Sequence, residues 1–398
     1  MQPQNQLRGV LSLGAHTTAE RLLADIRELA PDIAARTAEL ESGRRIPLDL
    51  VETLRSIGVF RMLTPKSHGG LELDLPAAME VIKTLGRIDG SVGWTTMIAS
   101  GTSVFAPLLL PETYEQIYRD GPAIFAGSMT PAGTAEAEVG GWRVNGRWPF
   151  ASGCQHADWM VGLCVMTKDG KPLTGPAGVG GPPMLRAVAL PACDWHIEDT
   201  WYAAGLKGTG SHHVTLSDVL VPTANFCDLT GDACLTGPLY QAPLHFLPLL
   251  HGALAIGIAE GALNELVALA NTGRQQLRAV VPMRSSETFQ GEIGRVEAEL
   301  RAAQAFHQVQ VASHWRHALA GTLKDPALLV QGTQAAIWIA TTCVRIADAC
   351  FTLAGGGAVY ETSPLQRRMR DLHAAAQHAV VQQQQYVSVG KLLLDTIH

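Results

Sequence analysis

The chain of 398 residues carries a formal net charge of −6, and 47% of its residues are hydrophobic while only 17% are charged. This length predicts two or three domains, and the acidic balance excludes the basic surface that nucleic acids and anionic membranes attract. Seven cysteines without a C-x-x-C pair, behind an N-terminus that lacks a signal sequence, predict reduced thiols in a cytoplasmic protein. We expect no membrane span, because His245, Pro248, His251 and Glu260 interrupt the most apolar stretch.

Helical periodicity dominates residues 1–121, which we expect to form an N-terminal helical domain. Residues 17–20 have the pattern of a capping box ahead of the first helix. Pro47 predicts the start of a further helix and Gly58 its end. The segment that begins at Gly90 predicts a buried helix.

Short alternating runs replace this period over residues 122–235 and predict a middle domain of antiparallel strands, folded as a β-barrel or sandwich. The clearest strands lie at 141–150, 159–166, 186–190 and 213–220. The helical period returns over residues 236–398, which we expect to form a C-terminal helical bundle. Its long runs lie at 244–271, 286–320, 326–354, 364–377 and 380–396. The predicted fold class is therefore α+β, with mostly α content.

Three motifs in the sequence are more specific than this periodicity. One is Trp-Pro-Phe-Ala-Ser-Gly at 148–153, and another is the glycine-rich turn at 205–211. The last is a triple glycine at 355–357, followed by a Ser-Pro helix start and a basic helix. With these motifs the chain resembles the acyl-CoA dehydrogenase superfamily over nearly its whole length. It is most similar to the two-component flavin monooxygenase branch, which includes the oxygenase components of hydroxyphenylacetate and steroid-phenol hydroxylases. The resemblance implies the helical, β, helical architecture and a homotetramer.

The resemblance also implies a flavin site in the middle domain. Ser128 and Thr130 would belong to a flavin-contacting loop. Phe150 would pack against the isoalloxazine ring, and Ser152 would place its hydroxyl near flavin N5. A fixed hydroxyl in a dry pocket suppresses peroxide elimination from a flavin C4a-hydroperoxide. Ser152 is therefore predicted to be catalytic as well as cofactor-binding.

Further flavin contacts are implied later in the chain. The turn with Thr209 and Ser211 presents hydroxyl and N–H groups to an anion or a polar ring edge. Gly355 and Gly356 let backbone N–H groups approach a phosphate or a second subunit. Arg278 lies where relatives meet the phosphate tail, but no motif separates FMN from FAD.

The expected reaction follows from a missing carboxylate. Dehydrogenases of this superfamily need a carboxylate base downstream of the Arg-Asp pair, which here is Arg370-Asp371, and the corresponding position is Ala379. His378 stands beside it, and an imidazole suits hydrogen bonding to a flavin peroxide or a phenolate better than proton abstraction. We therefore predict that His378 is catalytic and that the reaction is an oxygenation.

We expect the helix that begins at Gly90 to line the substrate pocket. Trp94 and Thr102 are expected to line it, and Thr102 stands where phenol hydroxylases of this branch carry a histidine. Because that histidine meets the hydroxyl of a phenol, its replacement favours a heteroaromatic, indole-like ring, or oxidation at nitrogen or sulfur.

The resemblance thus implies the oxygenase component of a two-component monooxygenase. It would take FMNH2 or FADH2 by diffusion from a separate flavin reductase and use O2 to hydroxylate an aromatic or heteroaromatic small molecule. Alternatives are N- or S-oxygenation by the same intermediate, a flavin desaturase of the acyl-CoA dehydrogenase type, and an inactive helical scaffold. No metal site is expected, since His212 and His213 point to opposite sides of a strand and His314 and His317 lack a third ligand.

Overall fold

The computed structural model of the protein describes the backbone of residues 4–175 and 181–396. Its N-terminal part is helical, with α1 Gln4–Ala35, α2 Thr37–Gly43, α3 Leu48–Ile57, α4 Leu75–Ile88, α5 Gly90–Ser103 and α6 Pro111–Ile117. The predicted helix after Pro47 is confirmed as α3, and it ends at Gly58, whose φ of 97° favours glycine. The capping box predicted at residues 17–20 is wrong, because α1 begins at Gln4 and those residues lie within it.

The buried helix predicted from Gly90 is confirmed as α5. Asp89 caps it, since its Oδ1 accepts the N–H groups of Ser91 at 2.8 Å and Val92 at 3.1 Å. Ile98 and Thr102 are only partly buried among buried neighbours, and they follow Trp94 at successive spacings of four residues. These three side chains therefore share one face of α5.

The middle part is one sheet of β1 Phe125–Glu138, β2 Gly141–Ala151, β3 Trp159–Lys168, β4 Lys171–Pro172, β5 Leu185–Pro191, β6 His196–Glu198, β7 His212–Val221 and β8 Phe226–Cys227. The order is β6-β7-β2-β1-β3-β5-β8, with β4 paired to β3. The neighbouring strands are antiparallel as predicted, except that β1 and β3 run parallel. The reason is that the chain crosses the end of β1 between β2 and β3. Ser152 lies in this crossover.

Trp148 is buried in the core of the sheet, and its packing holds β2, the strand that leads to the crossover, in position. Its side chain is fully buried, and its Nε1 donates to the carbonyl oxygen of Leu163 at 2.8 Å. Gly133 and Gly146 make room for the indole, because a Cβ at Gly133 would lie 2.1 Å from the ring and one at Gly146 would lie 2.4 Å from it. The position of β2 just before Ser152 is therefore set by close packing.

The C-terminal part contains α7 Leu247–Asn271, α8 Glu287–Ala320, α9 Pro326–Ala354, α10 Pro364–Ala375 and α11 Tyr386–Thr396. The first four agree with the predicted runs within one helical turn. The run predicted over 380–396 is wrong in its first part, where 379–381 and 383–385 form separate 3-10 turns. By length and composition, α7 and α9 each suit a membrane span, but 89% of the most apolar part of α7 is buried, against 50% for α9. Its burial makes α7 a core helix.

The basic helix α10 joins the three parts of the fold. Arg367 forms a buried ion pair with Asp89, the cap of α5. Arg368 donates to two carbonyl oxygens at the end of α4, at 3.1 Å each. Asp371 Oδ1 accepts the N–H of Leu206 at 2.6 Å, in the segment between β6 and β7. Through these bonds α10 holds α5 against the sheet's loops.

Candidate active site

A row of hydrogen bonds joins α5 to the sheet through Ser152. Trp94 Nε1 donates to Ser152 Oγ at 2.9 Å, and Ser152 Oγ lies 2.7 Å from Ser211 Oγ. Ser211 Oγ lies 2.6 Å from Thr209 Oγ1, which donates to the carbonyl oxygen of Leu206 at 2.8 Å. Each of the three hydroxyl residues is less than a twentieth exposed. We call these five residues the hydroxyl chain.

Two tight turns bring the hydroxyls together. Gly153 has a φ of 76° directly after Ser152, and Gly210 has a φ of 53° directly before Ser211. The N–H of Gly153 donates to the carbonyl oxygen of Thr209 at 2.9 Å and joins the two turns. Leu206 also has a left-handed φ of 51°, unusual for leucine, and Asp371 holds its N–H in place.

Phe150 presents an exposed aromatic ring two residues before Ser152. Its side chain is 63% exposed, an unusual state for phenylalanine, and its φ of 63° is left-handed. Its carbonyl oxygen accepts the N–H of Ser152 at 2.8 Å, so the exposed ring and the buried hydroxyl are locked together. An aromatic ligand that stacked on Phe150 would remove this apolar surface from water. A flavin isoalloxazine fits these residues.

Two imidazoles stack beside Trp94. The ring centroids of His251 and His378 lie 4.2 Å apart, and those of Trp94 lie 5.3 Å from His251 and 5.7 Å from His378. The N–H of Val380 donates to His378 Nδ1 at 3.3 Å, so the neutral ring carries its proton on Nε2. His378 therefore offers an N–H donor near Trp94, whereas Ser152 accepts the hydrogen bond of the Trp94 indole.

Burial keeps both imidazoles neutral. It lowers the pKa of His378 to about 4, and it lowers the pKa of His251 well below its ordinary value, with a smaller contribution from His378. A fixed donor and a fixed acceptor in a place shielded from water can stabilise developing charge without reorganising solvent.

The predicted loop residues Ser128 and Thr130 both lie on β1. Ser128 is buried and its Oγ accepts the N–H of Thr130 at 3.3 Å, whereas the side chain of Thr130 is exposed. The register of β1 against β3 shifts between Ser128 and Pro131, and such an irregularity re-aims side chains. Their contact with a flavin stays a prediction.

Side chains of the protein itself occupy part of the space at the predicted glycine contacts. Gln276 Nε2 donates to the carbonyl oxygen of Leu353 at 2.7 Å and lies against Gly355. A Cβ at Gly357 would lie 2.4 Å from Arg274 Nη2. Gly356 has open space where a Cβ would stand, and the side chain of Arg278 is exposed. Gly356 and Arg278 are thus the accessible members of the predicted phosphate region.

Sequence reasoning missed His251 as a site residue. It stood out only as a polar interruption of an apolar helix, and nothing local placed it beside His378. Its signal was a lone histidine one helical turn from Leu247 and Ala255. Asp371 was noted for its place in the Arg-Asp pair, but its contact with Leu206 was not foreseen.

Comparison with known proteins shows the family of the chain. The models of the acyl-CoA dehydrogenase N-terminal and C-terminal domains match residues 17–125 and 249–383. Indole-3-acetate monooxygenase of Pseudomonas putida is 32% identical over 390 residues, which are 96% of this chain and 94% of that protein. The oxygenase subunit HsaA of a flavin-dependent monooxygenase of Mycobacterium tuberculosis is 29% identical over 384 residues, covering 91% of this chain and 92% of that protein.

A solved structure extends the likeness to the whole fold. XiaF from Streptomyces sp., in complex with FADH2 and glycerol, superposes with a TM-score of 0.87 at 25% identity, over 97% of this chain and 96% of that one. The resemblance and the fold class predicted from the motifs are confirmed. The chain belongs to the flavin-dependent monooxygenases of the acyl-CoA dehydrogenase superfamily.

Proposed function

We propose that this protein is the oxygenase component of a two-component system and transfers one oxygen atom from O2 to an indole-like heteroaromatic molecule. The reduced flavin, FMNH2 or FADH2 from a separate reductase, supplies the electrons for O2 activation. The observation that carries this proposal is the set of partners around Trp94, namely the hydroxyl of Ser152 and the rings of His251 and His378. Hydroxyl and neutral imidazole groups can steer oxygen chemistry, whereas the desaturase alternative needs a carboxylate base.

The face of α5 that carries Trp94, Ile98 and Thr102 supports the substrate class. Ile98 and Thr102 are partly buried and follow Trp94 on this face. Leu247 at the start of α7, the helix that packs on α5, is also partly buried. A Cβ at Gly101 would lie 3.1 Å from Leu250 and 3.8 Å from Leu247, so the two helices approach closely here. An apolar face with one neutral hydroxyl suits a flat ring that carries an N–H group. Oxidation at nitrogen or sulfur of a similar ring is the second candidate.

The test supplies reduced flavin through a flavin reductase, with oxygen-18 gas and a panel of indole, indole-3-acetate and a simple phenol. We expect one labelled oxygen atom in an indole product, seen by mass spectrometry, and no product when the reductase is left out. Bleaching of a bound flavin by substrate alone would support the desaturase alternative instead. Failure to bind any reduced flavin would support the inactive scaffold.

The change His378→Ala should lower the product formed per flavin oxidised by roughly tenfold and raise hydrogen peroxide release, because a donor in a dry site is lost. The control is His373→Ala on α10, which removes a half-exposed imidazole paired with Asp348. Product and peroxide are quantified in the same reaction. Unchanged coupling in His378→Ala, or an equal loss in the control, contradicts the assigned role.

The pH dependence of coupling should be flat from neutral pH down to about pH 5. Burial lowers the pKa of His378 to about 4, so its ring stays neutral over this range and gains its charge only below it. Product per flavin oxidised is measured between pH 5 and pH 8 at saturating flavin and substrate. A drop centred near pH 6.5, the ordinary value for histidine, contradicts a buried neutral His378.

We also propose a homotetramer in the cytoplasm. Large apolar side chains are exposed on the C-terminal helices, namely Phe306, Val309, Trp338, Val387 and Leu394. Such surface on long helices suits contact with further copies of the chain. The seven cysteines are free thiols, which suits a reducing compartment. Light scattering of the purified protein measures the assembly, and a monomeric mass contradicts it.

A further inference from the structure

We propose that the hydroxyl chain makes the site selective for reduced over oxidised flavin, because it leaves Ser152 able to accept a hydrogen bond and unable to donate one. Thr209 and Ser211 are positioning residues in this account, since they act on the ligand through Ser152. The inference rests on the proposed function and adds to it the means by which the site distinguishes the two redox states of the cofactor.

The direction of the chain is set at its far end. The carbonyl oxygen of Leu206 can only accept, so the single proton of the Thr209 hydroxyl goes to it. Ser211 then donates to Thr209 across 2.6 Å, because Thr209 has no second proton to give. By the same reasoning Ser152 donates to Ser211 across 2.7 Å. The proton of each hydroxyl is therefore committed.

At the Trp94 end of the hydroxyl chain, one lone pair of Ser152 Oγ has no donor among the residues that the structure describes. The indole N–H of Trp94 can only donate, and it fills one lone pair of Ser152 Oγ at 2.9 Å. A hydroxyl oxygen has two lone pairs, so one remains for a ligand. Ser152, Ser211 and Thr209 are 4%, 3% and 2% exposed, which limits the access of water that could reverse the direction.

This open lone pair matches one redox state of a flavin. N5 of a reduced flavin carries a hydrogen and donates, whereas N5 of an oxidised flavin has only a lone pair. To meet the oxidised ring, Ser152 must break its bond with Ser211. The loss of one neutral hydrogen bond corresponds to a roughly several-fold to tenfold weaker affinity. A site of this kind favours a cofactor that arrives reduced and leaves oxidised.

The change Thr209→Val reverses the direction of the chain. Without the Thr209 hydroxyl, Ser211 is free to donate to Ser152, which then accepts from both Ser211 and Trp94 and donates outward. The fold should tolerate this change, because valine matches threonine in shape and Leu206 keeps a second donor in Trp201 Nε1 at 3.1 Å. The matched control is Thr209→Ser, which keeps the hydroxyl.

The test is anaerobic titration of each protein with FMN and FMNH2, and with FAD and FADH2. The measured quantity is the ratio of the dissociation constants of the oxidised and reduced forms. We expect the wild type to prefer the reduced form by roughly tenfold, Thr209→Ser to keep this ratio, and Thr209→Val to lower it by roughly tenfold or more, to one or below. The midpoint potential of the bound flavin should fall by about 30 mV for each tenfold change.

The outcomes separate this inference from the function on which it rests. Wild-type protein that binds neither form of flavin overturns the proposed function and the selectivity with it. Equal wild-type binding of both forms overturns the selectivity alone. A folded Thr209→Val variant with the wild-type ratio also overturns it, because the direction of the chain would then have no effect. Ser211→Ala is the second variant, and it should bring the ratio close to one.

Discussion

Replacing Ser152 with alanine is expected to lower the product formed per flavin oxidised by roughly ten- to a hundredfold, with hydrogen peroxide released in its place. The hydroxyl of Ser152 joins the indole N–H of Trp94 to the rest of the hydroxyl chain. Its loss leaves the buried indole N–H of Trp94 without a partner, takes one of the two hydroxyl partners of Ser211 and removes the acceptor that the flavin edge would meet. Activity should fall far more than stability.

The matched control for this change is Ser100→Ala. Ser100 lies on α5, is fully buried and donates its hydroxyl to the carbonyl oxygen of Val59 at 3.0 Å. This change also removes one buried serine hydroxyl, from the helix that carries Trp94, but it leaves the hydroxyl chain intact. Product and peroxide per flavin oxidised are measured for both variants. Unaltered coupling in Ser152→Ala, or an equal loss in Ser100→Ala, would show that Ser152 has no special part.

The change Arg367→Met is expected to lower the free energy of unfolding by roughly 3–5 kcal/mol. Arg367 and Asp89 form an ion pair whose side chains are 10% and 3% exposed. Methionine leaves the carboxylate of Asp89 buried without its partner, close to a second buried carboxyl in Asp371. Burial, followed by the charge of Asp89, already raises the pKa of Asp371 to about 7.

The pH dependence of this variant gives a second readout. A carboxyl with a raised pKa in the folded protein keeps its proton where the unfolded chain has released it, so stability rises as the pH falls from 7 towards 4. Loss of the Arg367 charge should strengthen this dependence. The control is Arg295→Met, which removes half-exposed ion pairs on α8 and should cost less than about 1 kcal/mol. Equal denaturation midpoints for both variants contradict the account of α10.

Local patterns were enough to predict much of the fold. Proline and glycine signals placed α3, and the return of the helical period placed α7 to α10. The parallel pair of β1 and β3 was not predictable in this way, because a crossover depends on which edge of β1 the chain reaches after β2. The capping box at 17–20 failed because the local pattern occurs inside a longer helix.

The site shows the same limit. Spacing relative to recognised motifs singled out Ser152 and His378, but the stacking of His378 on His251 joins residues far apart in the chain. Thr209 and Ser211 were predicted to contact the flavin, and that contact stays a prediction. What the sequence did not indicate is that their hydroxyls are buried and lie in one row with that of Ser152. Hydrogen-bond direction depends on the partners of each hydroxyl, which a sequence does not give.

The most direct test of the central claim is rapid mixing of anaerobic protein and FMNH2, and separately FADH2, with oxygenated buffer. The account predicts that the absorbance of oxidised flavin appears only after a delay compared with free flavin, and that an indole substrate is oxygenated during this delay. The flavin that gives the longer delay is the preferred cofactor. Oxidation at the rate of free flavin, with all of the oxygen recovered as hydrogen peroxide, would contradict the claim that this site controls oxygen chemistry.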